Sequence, residues 1–144
     1  MTYQYLEQVA TADVAFEAVG GDLVELFISA ADATMNVMIE NLDDIHPLRA
    51  IEVKLQNRDA DLLLFDLLQE LIFYKDAERL LLRIASIAID RQSDRFSLVA
   101  TAVGEELDAS RHVQRVDVKA VTLHRFTLEQ REDGQWRALV ILDV

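Results

Sequence analysis

The residues whose chemistry stands out in this chain are acids set among apolar neighbours. Asp13 sits in Thr11-Ala12-Asp13-Val14, where an alternating apolar stretch begins, and Asp143 follows the apolar run Ala138 to Leu142 with Val144 next to it. An ionised carboxylate beside apolar strand residues is costly unless it is solvated or paired. If the fold brought them together, two or three carboxylates, the terminal one of Val144 included, would make a hard-oxygen site suited to calcium or magnesium. Spacing alone leaves a second reading open, in which Asp13 caps a turn and Asp143 is a solvated strand end. Lys119, between Val118 and Ala120, is the other polar misfit. A lysine in mid-strand usually snorkels from an edge or faces solvent.

Asp133-Gly134 between two apolar runs is the strongest hairpin signal in the chain, since a type I′ turn takes positive φ at both central residues. A turn centred there would pair Leu128 with Leu139, Phe126 with Ile141, and Trp136 with Arg131. It would also place His124 opposite Asp143, where an imidazole could orient the carboxylate or itself be held charged. His46, just before Pro47, and His112, in a polar loop, read as surface residues.

Several function classes fall away. The chain has no cysteine, so disulfides, thiolate metal sites and cysteine nucleophiles are excluded. Its glycines are scattered at Gly20, Gly21, Gly104 and Gly134 and form no phosphate loop, and no serine is flanked by the glycines of a nucleophile elbow. The histidines show no paired metal spacing. Lys and Arg number 14 against 26 Asp and Glu, a net charge of −12, which disfavours a grip on nucleic-acid backbone. No run is long enough to cross a membrane and the N-terminus lacks a signal-peptide pattern, so a cytoplasmic protein is expected.

Positioning these residues falls to a single domain over 1–144. With 51% apolar residues at this length a real core is within reach. Val14, Phe16 and Ala18 alternate as a strand. Asp22 with Glu25 has capping-box spacing before a helix ending near Glu40. Ile51, Val53 and Leu55 read as a strand, and a second helix runs from about Ala60 to Tyr74. That helix is apolar on more than one face, with Leu62, Leu63, Leu67 and Phe73 outside its inner stripe, so it is enclosed or lies against a partner. Strands follow at Leu82 to Asp90, Phe96 to Val103, Val116 to Leu123, Phe126 to Arg131 and Trp136 to Leu142. The expected class is α+β, a two-layer domain with two helices packed on mixed, largely antiparallel sheet.

Thr11-Ala12-Asp13-Val14, Val118-Lys119-Ala120-Val121-Thr122-Leu123-His124 and the ending Leu142-Asp143-Val144, with the helix segment Leu67-Leu68-Gln69-Glu70-Leu71, resemble the archease family over nearly the whole length. The resemblance implies a small α+β protein that activates RNA ligases of the RtcB type without being an enzyme itself. These ligases join RNA ends through a nucleotide-linked intermediate and need manganese and GTP. The family's role is to promote guanylylation and multiple turnover in tRNA splicing or RNA repair, meeting tRNA only through the ligase. It further implies that Asp13, Asp143 and Val144 hold a divalent cation, calcium in the family, with magnesium the other candidate. Lys119 becomes a functional residue beside the cation, with His124 grouped with it toward the partner. Ala10 stands where the family usually has histidine. Two further readings remain: a metal-dependent hydrolase using the same carboxylates, and a chaperone or adaptor for RNA-modifying enzymes, such as a tRNA methyltransferase, built on apolar surface at Leu63, Leu67 and Phe73.

Overall fold

The computed structural model describes residues 2–6 and 13–144. Along the chain run β1 (Thr2–Leu6), β2 (Asp13–Gly20), α1 (Leu23–Met38), a 3₁₀ turn (Leu42–Asp44), β3 (Arg49–Asn57), α2 (Ala60–Glu78), β4 (Leu80–Arg91), β5 (Phe96–Glu106), β6 (Ala120–Gln130) and β7 (Trp136–Asp143). One sheet has the strand order β1-β2-β7-β6 and the other β3-β5-β4. The α+β class therefore holds. Every pairing among the described residues is antiparallel, so the expected mixed sheet becomes two antiparallel ones. The two helices do not cover one sheet; α1 packs against β1, β2 and β7 of the first and β4 of the second, while α2 packs against β3, β4, β5 and β6.

Local chemistry explains the helix starts and the core. The Asp22 carboxylate accepts the Glu25 N–H at 2.8 Å, and the Glu25 carboxylate reaches back to the Gly21 N–H at 2.7 Å. Two orphan donors at the entrance of α1 are satisfied reciprocally. The chain can turn so tightly into α1 because Gly20 has no side chain: a Cβ there would lie 2.5 Å from the Leu26 nitrogen. α2 buries Leu63, Leu64, Leu67, Leu68, Leu71 and Ile72. Those positions form one broad face, about half of the helix, that touches strands of both sheets. Leu62 and Phe65 are half-buried and Phe73 is exposed, so the helix is not enclosed on every side. Each buried side chain of that face contributes about 1.5–3 kcal/mol. Leu63 and Leu67 are therefore core, and of the three residues considered for an apolar docking surface only Phe73, at 57% exposure, lies open.

The β6–β7 hairpin departs from the expected register. Arg131 N–H donates to Gln135 C=O at 2.7 Å and Gly134 N–H to Arg131 C=O at 2.9 Å. Gly134 has φ 89°, and Asp133 is not among the positive-φ residues. The connection is thus a three-residue loop ending in a left-handed glycine, not a two-residue type I′ turn. That extra residue shifts the ladder by one, pairing Leu128 with Ala138 and Gln130 with Trp136. A second break lies between Thr122 and Thr127, so that one long strand replaces the two expected, and Thr122 faces Ile141. β1 was not expected; its signal is the short alternation of Tyr3 and Tyr5.

Candidate metal and partner site at the Asp13 end of the first sheet

β2 and β7 meet because each carries an alternating apolar row: Phe16 lies opposite Val140 and Ala18 opposite Ala138, all in the central core. A slip by one residue would turn that row out of the core, so the register is firmly held. It places Asp13 directly opposite Asp143. By strand alternation both acids belong to the outer face, the one that carries the Glu17–Arg137 ion pair at 2.6 Å. Both are half-buried. Opposed residues on an antiparallel ladder have Cβ atoms about 5 Å apart, and like charges placed there repel. Thr11 and Ala12, like Ala10, lie outside the described residues.

Lys119 reaches the same corner from the other side of β7. Its backbone N–H donates to the Asp143 carbonyl at 2.8 Å, and Ala120 pairs with Asp143 in the ladder. Lys119 precedes β6 and is not in mid-strand; its side chain is exposed and lines a groove of about 370 Å³ with Gln69, Ile72, Phe73, Asp76 and Ala77. Two side chains of α2 hold this segment. The Lys75 ammonium, only 11% exposed, donates to the Asp117 carboxylate at 2.5 Å and to the Val118 carbonyl at 2.8 Å. Gln69 accepts the Val121 N–H at 2.9 Å. Burial pushes the Lys75 pKa down, but its hydrogen bonds to Asp117 and Asp76 outweigh this and hold it above the usual lysine value.

His124 is not at this corner. The break between Thr122 and Thr127 carries it into an exposed bulge beside Arg125, whose φ is 54°, and the position opposite Asp143 belongs to Ala120. A two-residue turn would place His124 there; the three-residue loop and the bulge after Thr122 do not. Among the described residues no three His, Asp or Glu side chains gather into a metal-holding cluster, so the side chains brought together are the pair Asp13 and Asp143.

A second polar assembly lies at the end of β5. His112 is 2% and Glu105 5% exposed. The Glu105 carboxylate accepts the His46 backbone N–H at 2.6 Å, pairs with Arg111, and lies 3.1 Å from His112 Nε2. His112 Nδ1 accepts the Asp108 N–H at 2.9 Å, so the ring proton sits on Nε2, facing Glu105 and the Asp44 carbonyl. Burial raises the Glu105 pKa, but these donors together overcome it and hold the carboxyl at about 2. The network ties the 3₁₀ turn and the loop before His112 to the end of β5. Nothing in residue spacing announces it, and His112 is buried, not the surface residue that its polar loop suggests.

The frame is a small α+β domain of two antiparallel sheets bridged by two helices, with opposed acids at one sheet end. The chain matches the Archease protein family (MTH1598/TM1083) over residues 3–144, and it belongs to that family. "Protein archease" of Methanothermobacter thermautotrophicus is 40% identical over 135 residues, covering 93% of this chain and 94% of the relative. "Protein archease" of Pyrococcus abyssi is 32% identical over 134 residues, with the same coverage of each. The solution structure of Methanobacterium thermoautotrophicum protein 1598 superposes with a TM-score of 0.84 at 36% identity, covering 99% of this chain and 98% of that one. The crystal structure of an archease, "possible chaperone", from Thermotoga maritima shares the fold at a TM-score of 0.64 and 18% identity, covering 94% and 93%. In the described residues no helix is long and apolar enough to cross a membrane.

Proposed function

We propose that this chain is a non-catalytic activator of an RtcB-type RNA ligase, working through a divalent cation held at the Asp13–Asp143 pair. The observation that carries the reading is the register of β2 on β7, which sets the two carboxylates opposite each other on one face. Isolated, such a pair is repulsive; with a hard cation between them it becomes a ligand set. The donors fit calcium, which accepts six to eight oxygens in flexible geometry and would complete its shell from the Val144 carboxylate, backbone carbonyls and water. Magnesium suits the same chemistry but demands stricter octahedral geometry.

Lys119 supports the partner half of the proposal. It is an exposed cation, tied by its backbone to Asp143, in a chain of net charge −12. A phosphate or acidic side chain could meet Lys119 as a point charge, while the acidic surface as a whole steers a basic, RNA-binding enzyme. tRNA is then met only through the ligase. His124, in its exposed bulge, stays a candidate contact with the partner and not a support for Asp143. The test is self-guanylylation of such a ligase with manganese and GTP: the chain should accelerate it and support repeated turnover.

The adaptor reading has one observation of its own, the exposed Phe73 beside Lys119. It needs the apolar surface and not the cation. Binding to a partner that survives Asp143→Asn but fails in Phe73→Ala would favour it, and hydrolysis of simple phosphoesters by the isolated chain would favour the hydrolase reading.

A further inference from the structure

Trp136 pairs with Gly20 at the end of β7 opposite to Asp143, and there the surface opens into a second cleft. Leu23 and Val24 at the start of α1, Ile89, Arg91 and Phe96 at the tip of the β4–β5 hairpin, and Trp136 line an open cleft of about 340 Å³. That volume is at the lower end of the range for small-molecule sites, about 300–1,000 Å³. The five apolar side chains are half-buried, and Leu23, Ile89, Phe96 and Trp136 pack against the central core. The walls are thus preformed by the fold.

One charged group stands at the rim without a carboxylate. The Arg91 guanidinium lies 5.5 Å from the centre of the Phe96 ring, and among the described residues it makes no ion pair. Asp22 also lines the cleft and keeps its charge, but its carboxylate accepts the Glu25 N–H as the cap of α1 and makes no ion pair with Arg91. A guanidinium held over an aromatic face keeps its planar fork of donors for a carboxylate or similar anion. Aromatic walls, a small cleft open to solvent on one side and an arginine without an ion pair define the ligand chemistry.

We propose that this cleft binds a small molecule made of a flat aromatic body and one anionic group. The aromatic body sits between Trp136, Phe96 and the aliphatic wall, and the anion meets Arg91. The site is separate from the acid pair and needs no cation.

The experiment uses the single tryptophan of the chain, whose indole N–H gives one cross-peak in a ¹⁵N-correlated NMR spectrum. The full chain is titrated with 2-naphthoate and with its neutral analogue 2-naphthylmethanol. The expected result is saturable movement of the Trp136 peak by the acid, with the alcohol binding about five-fold more weakly, as for one partly exposed charge contact. Arg91→Gln, at an exposed position, should bring the acid down to the alcohol's affinity and leave the other peaks in place. No saturable movement with 2-naphthoate, equal affinity for acid and alcohol, or undiminished acid binding in Arg91→Gln would each overturn the proposal. Movement of the indole peak with protein concentration alone would also overturn it, since the cleft would then be a contact between copies.

Discussion

Asp13 and Asp143 face each other across the β2–β7 ladder, joining the first and last parts of the chain at one sheet end. The sign of their interaction depends on what lies between them. Without a cation the pair repels, so Asp143→Asn should be as stable as the parent or more stable by up to about 0.5 kcal/mol. With calcium in excess the order should reverse: the parent gains stability by mass action, about 2.7 kcal/mol at a hundred times Kd, and the variant gains little. Thermal melting with calcium and with chelator checks this crossing, and Asp13→Ala should behave likewise.

The Val144 carboxylate is tested by extending the chain. A peptide fused after Val144 removes that charge and should weaken calcium binding, whereas the same peptide at the N-terminus should not. Calorimetric titration of both fusions decides it, and equal affinities would take Val144 out of the ligand set.

Lys119→Ala should remove stimulation of the ligase while changing stability by no more than about 0.5 kcal/mol, because the side chain is exposed. Calcium affinity should hold or rise, since deleting a nearby positive charge cannot weaken a cation site electrostatically. Guanylylation assayed beside calcium titration separates the two effects.

Lys75→Met should cost more than Lys119→Ala despite acting at a distance from both acids. It leaves the Val118 carbonyl without its donor and leaves Asp76 and Asp117 without the cation between them. Denaturant unfolding should show a loss of about 1–3 kcal/mol, and hydrogen exchange should rise first at Lys119 and Val121, the amides of the tethered segment.

Glu105 gives the pH dependence its sign. Its folded pKa of about 2 lies below the usual 4.5, so the unfolded chain binds the proton more tightly. The carboxylate's contribution is complete above about pH 4.5 and is lost as pH falls toward about 2. Glu105→Gln should flatten the acid side of the stability profile in that window and lower stability near neutrality. Denaturant midpoints measured across that range are the check.

Much of this architecture was legible in local pattern. The capping box of Asp22 and Glu25 and the apolar stripe of α1 each express a single element's chemistry and lie where the spacing placed them. α2 starts where expected but runs on to Glu78, and its buried face takes in Leu63 and Leu67, because its excess of leucines leaves the phase of the stripe undetermined. Asp13 and Asp143 stood out because acids beside apolar strand residues are costly, and the ladder does bring them together. What failed depended on one more residue in a loop. Asp133-Gly134 suits both a two-residue and a three-residue connection, and the observed φ at Gly134 alone selects the longer. The bulge after Thr122 then displaced His124. The network of Glu105, Arg111 and His112 was illegible for another reason: its members come together through loops that carry no periodicity.

The most direct measurement is the rate of guanylylation of an RtcB-type ligase, with manganese and GTP, in the presence of the parent chain, of Asp143→Asn, or of neither. Acceleration by the parent is expected, with a rate at the unassisted baseline for Asp143→Asn, although that variant remains folded in its melting curve. No acceleration by the parent, or equal acceleration by both, would contradict the proposed function.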